Sequence, residues 1–290
     1  MVEKEKVMKI SGFNIVEKLQ KPNFWLCAIA VGLIIIQLDL AGKFIASLDA
    51  LTIRCLFWAS ILYLIWKKRD NLSLESDIIS TLLGLFLIFV LLVKSLSLLW
   101  FDSIFVKISA LISFLGLALI ASGIRGLKQY IQEFAILLLL LSESLISGFI
   151  DSNFNVSILA AKFSTFVLWY LGFPVSRQGV NVILPTGAIE IYPACSGLNA
   201  ILILLQLSLL FILVFPIKIF HKIMLPIVAI FLGFVINVFR LVLMTLLVAA
   251  KNHQGFEYWH EGSGSQIFST FSILAFVYVC YWVLQQYKSA

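Results

Sequence analysis

Charge is scarce in this sequence: Asp, Glu, Lys and Arg together make up 12% of its 290 residues, against 61% apolar. So little charge excludes an ordinary soluble domain, in which about a quarter of the residues are charged. Cysteine is scarce as well. Cys27, Cys55, Cys195 and Cys280 stand far apart without a C-x-x-C pair, and three of them lie inside apolar runs, so neither a disulfide framework nor a zinc site is indicated. There is no internal repeat and no matched pair of Gly/Pro-broken apolar helices, which argues against a transporter built from repeats. No cleavable signal peptide is expected either. The first apolar run follows about twenty polar residues and leads into further runs, as a signal anchor does.

What the chain does have is a series of apolar runs approaching the ~20 residues needed to cross a bilayer. The expected fold is an all-α polytopic membrane protein with about eight transmembrane helices. The net charge of +6 reports topology and not nucleic-acid binding, because Lys and Arg cluster at the ends of the runs. Residues 1–22 form a polar, Lys-rich cytoplasmic segment, and 23–290 form a single integral membrane domain surrounded by lipid. Five spans are expected first: from Phe24 to Leu40, from Leu51 to the basic Lys67-Lys68-Arg69, from Ile78 to Trp100, from Ile104 to Gly123 and from Tyr130 to Ile150. Trp100-Phe101-Asp102 makes an interfacial corner. Glu143, inside the fifth span, reads as a paired structural carboxylate and stays outside the site.

Residues 154–172 are apolar but interrupted by Lys162 and several Ser and Thr. If they spanned, Lys218, His221 and Lys222 would be forced outside, so they read as an interfacial or re-entrant helix on the outer face. VNVILPTGAIEIYP then predicts a short β-hairpin turning at Pro185-Thr186-Gly187. It serves either as a lid or as an edge to which an extended peptide adds. Three more spans follow: Cys195–Phe215, Ile223–Ala250 and one after Gln266. His221 reads as a cytoplasmic surface residue.

Three residues suited to catalysis arrive at one depth. Pro193 suits a helix start and places Cys195 on the first turn of a transmembrane helix, where the dipole and free amides lower a thiol pKa. Arg240 lies about 27 Å along its helix from Lys222 at ~1.5 Å per residue, just under the outer surface. His260 ends the outer loop before the last span. Together they suggest a cysteine nucleophile, a histidine general base and an arginine that steadies the oxyanion and depresses the thiol pKa. Backbone N–H groups of Ser196 and Gly197 would assist. Asn237 would hold Arg240, Glu261 would orient His260 or pair with Arg240, and Gly262 to Gly264 would let the His260 loop approach.

ACSGLNA around Cys195, NVFRL around Arg240 and HEGSGSQIF around His260 resemble the exosortase/archaeosortase family, including its cyanoexosortase branch. LGFPVSRQGVNVILPTGAIEI resembles the family's approach to its cysteine, and the likeness covers about residues 165–275. The resemblance implies an eight-span cysteine peptidase/transpeptidase in the plasma membrane with its site on the outer (periplasmic) side. It implies substrates that are exported proteins with carboxy-terminal tails: a Pro-Glu-Pro-like motif, a transmembrane helix and a basic cluster. Cys195 then matches the nucleophile, Arg240 the invariant arginine and His260 the third position. Neither the residues nor the resemblance supplies a metal or nucleotide cofactor. A hydrolytic cysteine peptidase shares every step up to the acyl-enzyme, and a transporter or lipid-binding protein would use Arg240 and His260 for an anion or for protons.

Overall fold

The computed structural model describes residues 22–44, 48–96 and 103–288. The N-terminal segment and the Trp100-Phe101-Asp102 corner fall outside the described residues, as does the side chain of Glu143. Helices dominate: α1 (Pro22–Phe44), α2 (Leu48–Lys68), α3 (Ile78–Leu96), α4 (Ser103–Gly126), α5 (Ile131–Asn153), α6 (Val156–Tyr170), α7 (Leu198–Val214), α8 (Ile219–Ala249), α9 (His253–His260) and α10 (Ser263–Lys288). Among the described residues, the stretches long and apolar enough to cross a membrane are Ile78–Ser95, Ile108–Ser142, Ile219–Ala249 and Ser263–Tyr287. Phe24–Leu40, Val156–Tyr170 and Leu198–Val214 are apolar but shorter. Large side chains such as Trp66, Phe89, Phe231 and Tyr278 point outward, as they do where the surrounding solvent is lipid. The chain is a helical polytopic membrane protein.

The chain divides into two compact units at Leu138. In the first, Gly84 of α3 meets the Gly116 backbone of α4, where an added Cβ would come within 2.6 Å of the carbonyl oxygen. Small residues permit such close helix contacts in lipid, where no hydrophobic drive brings helices together. Several buried polar groups in this unit find partners: Gln37 bridges Ser109 and Ser113 at 2.7 and 3.0 Å, and Lys68 pairs with one carboxylate oxygen of buried Glu133 at 2.7 Å, the other oxygen having no partner among the described residues.

The second unit carries all the candidate site residues. Its lower core joins α7, α8 and α10 through Leu204, Leu225, Ala229, Phe276 and Val283. The upper core joins α6, the far end of α8 and a small sheet through Ala160, Leu168, Val182, Ile189, Leu241 and Met244. α6 has 15 residues, a length of about 22 Å at ~1.5 Å per residue, short of a ~30 Å hydrocarbon core. One face is buried in the upper core; the other exposes Phe163, Phe166, Trp169 and Tyr170, side chains that favour a membrane interface.

Two expectations need correction. The hairpin is the second half of a three-stranded antiparallel sheet, β1 (Ser176–Gln178), β2 (Asn181–Leu184) and β3 (Gly187–Glu190), in that order. β1 was hidden because Ser-Arg-Gln is short, polar and fully exposed, with no alternation to read. His221 is buried at the start of α8, against the Phe220 ring, and is not a surface residue.

Candidate active site

Cys195 does not lie on the first turn of an α-helix. It ends a 3-10 turn, Pro193–Cys195, and α7 begins only at Leu198. Between them Gly197 adopts φ +92°, which a side chain tolerates poorly. A Cβ there would also sit 2.7 Å from the Asn237 amide nitrogen. Two constraints thus meet at one residue. Gly197→Ala is expected to cost about 1–2 kcal/mol from backbone strain alone and to push Asn237 aside; a thermal melt of the detergent-solubilised protein at the wild-type midpoint would contradict this.

The residues named from the sequence come together, though with different partners. Cys195 Sγ lies 3.2 Å from His260 Nε2, across 65 positions of sequence. Asn237 holds Cys195 and not Arg240: its Nδ2 donates to the Cys195 carbonyl oxygen at 3.0 Å. The Ser196 N–H donates to the Pro193 carbonyl at 3.2 Å and its hydroxyl to the same oxygen at 2.7 Å. That amide serves the turn and is not a free oxyanion donor. Glu261 approaches His260, its carboxylate 3.5 Å from Nδ1, and its side chain is 84% exposed. A contact so exposed contributes little stability, but its position favours the tautomer with the proton on Nδ1, which leaves Nε2 free to accept the thiol hydrogen.

Arg240 reaches the site by another route. Its Nε donates to the Trp259 carbonyl at 3.3 Å and its Nη2 to the His260 carbonyl at 2.7 Å. These are end carbonyls of α9, which the helix itself cannot satisfy, and a cation there also complements the helix dipole. The Glu257 carbonyl is taken by the N–H groups of Glu261 and Gly262. Arg240 therefore fixes the backbone that carries His260. Phe256, one turn earlier on α9, stacks on the imidazole with ring centres 5.1 Å apart and an interplanar angle of 16°. Phe256 was not among the residues singled out from the sequence, although its i, i+4 spacing from His260 was the available signal. The Gly262–Gly264 stretch is not slack either, since α10 starts at Ser263.

Electrostatics overturns the expected thiol. Burial pushes the Cys195 pKa above its ordinary 9.0, Arg240 draws it down, and Glu261 adds to the rise; burial wins. The resting sulfur is a neutral thiol facing a base. Alkylation by iodoacetamide, followed on the Cys195 peptide by mass spectrometry, should rise with pH along a curve whose midpoint lies above 9.0, because only the thiolate reacts. Arg240→Gln should move that midpoint higher still. A midpoint at or below the ordinary thiol value would refute the assignment.

A thiol against an imidazole nitrogen is a proton-transfer pair, and a nearby guanidinium stabilises negative charge as it develops. Among the described residues no cluster of His, Cys, Asp or Glu is suited to hold a metal ion. No curated protein and no solved structure matches the chain. The transmembrane exosortase family (Exosortase_EpsH) matches residues 46–277, a range that contains every site residue named above and extends well beyond the likeness read from the sequence, and the chain belongs to that family.

Proposed function

We propose that this protein is a membrane-embedded cysteine transpeptidase that cuts carboxy-terminal sorting tails from exported proteins at the outer face of the plasma membrane. The observation that carries the reading is the 3.2 Å approach of Cys195 Sγ to His260 Nε2, made by residues of the segments that resemble the family. His260 Nε2 takes the thiol proton as sulfur attacks the scissile carbonyl carbon. The negative charge then moves from sulfur to the carbonyl oxygen, and the Arg240 charge that already acts on Cys195 stabilises it there. His260 returns the proton to the leaving nitrogen as the C–N bond breaks, leaving a thioester on Cys195. An acceptor amine attacks that thioester, the thiol regains its proton and the tail-free protein is released on its new acceptor.

The orientation rests on charge. Lys218 and Lys222 stand at the start of α8, and Arg240 lies about 27 Å further along at ~1.5 Å per residue. With the lysines cytoplasmic, the thiol opens to the outside. Co-expression with an exported protein ending in an apolar helix and a basic cluster tests the whole reading. The expected result is a smaller product, a hydroxylamine-sensitive adduct on Cys195 and a product carboxyl end heavier than a free acid by the mass of the acceptor less one water. A free acid end would mean hydrolysis, and no size change would overturn the proposal.

A further inference from the structure

The sheet beside Cys195 has an open edge that leads to the thiol. Two-residue loops join its strands, so Gln178 with Asn181 and Leu184 with Gly187 close the two hairpins. Hydrogen-bonded pairs alternate along an antiparallel ladder. β2 therefore turns the backbone groups of Asn181 and Ile183 toward β1, and those of Val182 and Leu184 toward β3. The Ile191 N–H, which donates to the Val180 carbonyl at 3.2 Å, continues that alternation. On β3 the N–H and C=O groups of Ala188 and Glu190 consequently point away from the sheet. Both residues are exposed, and their backbone groups take no partner among the described residues. A strand edge of this kind is a template for another strand.

The direction of β3 is fixed by α8. Gly187 lies against Val248, whose Cγ1 a Cβ would meet at 2.9 Å, while the Cys195 carbonyl is held by Asn237. Those two contacts are eleven residues apart on α8, about 16 Å at ~1.5 Å per residue. From Gly187 to Cys195 the chain thus descends along α8, away from its outer end. A tethered substrate whose body lies outside, and whose membrane helix follows the scissile bond, descends in the same sense.

We propose that the extended segment just ahead of the substrate's scissile bond binds as a fourth strand, parallel to β3, on the backbone groups of Ala188 and Glu190. This rests on the cleavage reading above and adds how the substrate is held. The segment's alternate residues bond to β3, and the residues between them direct their own N–H groups to solvent. The next few residues pass the exposed Tyr192-Pro193-Ala194 turn and bring the scissile carbonyl to Cys195.

Ala188→Pro removes one outward donor and leaves the β2 pairing intact, since proline is tolerated where a strand N–H faces outward. It is expected to lower kcat/KM for a tailed reporter about tenfold, the scale of one lost hydrogen bond, with Cys195 alkylation unchanged. Arg177→Pro, at the corresponding place on the opposite edge, should cut as wild type does. Equal cleavage by Ala188→Pro and wild type overturns the proposal. If Ala188→Pro disturbs the alkylation rate, a proline scan of the reporter ahead of its scissile bond decides instead. Losses at every second position support the added strand, and a profile without that period overturns it. A wild-type protein that cuts no tailed reporter removes the cleavage reading itself, a result distinct from either.

Discussion

Replacing Cys195 with alanine is expected to abolish tail cleavage, with a loss of at least ~10⁴-fold in kcat, because among the described residues no other thiol is placed against His260 to form the acyl intermediate. Cys280, in the same unit, is buried in the lower core and cannot substitute. Serine should lose nearly as much. Its hydroxyl holds its proton far more tightly than a thiol, and nothing at the site compensates, since burial already disfavours charge at this position. The measurement is the rate of size change in a co-expressed tailed protein, normalised to the amount of enzyme in the membrane. Processing by Cys195→Ala at even one hundredth of the wild-type rate would sink the nucleophile assignment.

His260→Ala comes next, with an expected loss of about 10²–10⁴-fold at neutral pH, the usual weight of a positioned acid and base. The pH profile separates this from a structural defect. Without the imidazole, thiolate forms only by direct ionisation, and burial has raised the pKa at which that happens. The residual rate of His260→Ala should therefore climb as pH increases through and beyond the ordinary thiol range, while never reaching wild type, because the leaving nitrogen still lacks its proton donor. A flat profile would mean that His260 does not serve as the base. The stacked Phe256 ring makes Phe256→Leu a milder companion that loosens the imidazole and leaves its chemistry in place.

Much of the layout was legible because helices have a fixed rise. Counting from Lys222 to Arg240 placed the guanidinium far along its helix from the basic start, and there it meets the His260 carbonyl. What a count along one helix cannot reveal is which atoms a long side chain will reach. Arg240 was expected to steady an oxyanion; what the count did not show is that its guanidinium also closes the end of α9, a helix of only eight residues that hydropathy does not mark. Asn237 was expected to support Arg240, yet one turn along α8 its amide falls on the Cys195 carbonyl. The thiol pKa was misread for a similar reason. A helix start and a nearby cation are visible in sequence, whereas the burial that outweighs them depends on packing around Cys195. The family likeness was readable only where polar motifs interrupt the helices. Earlier spans look alike in any polytopic protein, although the family match begins at residue 46.

The 65 positions between the sulfur and its imidazole partner also have a meaning in time. At ~5–20 residues added per second, Cys195 leaves the ribosome roughly 3–13 s before His260. A nascent chain ending before His253 has the Cys195 thiol, its asparagine clamp and α8, but not the imidazole of His260. The thiol–imidazole pair is incomplete until the segment carrying His260 is translated, so an unfinished polypeptide lacks the contact on which the proposed chemistry rests.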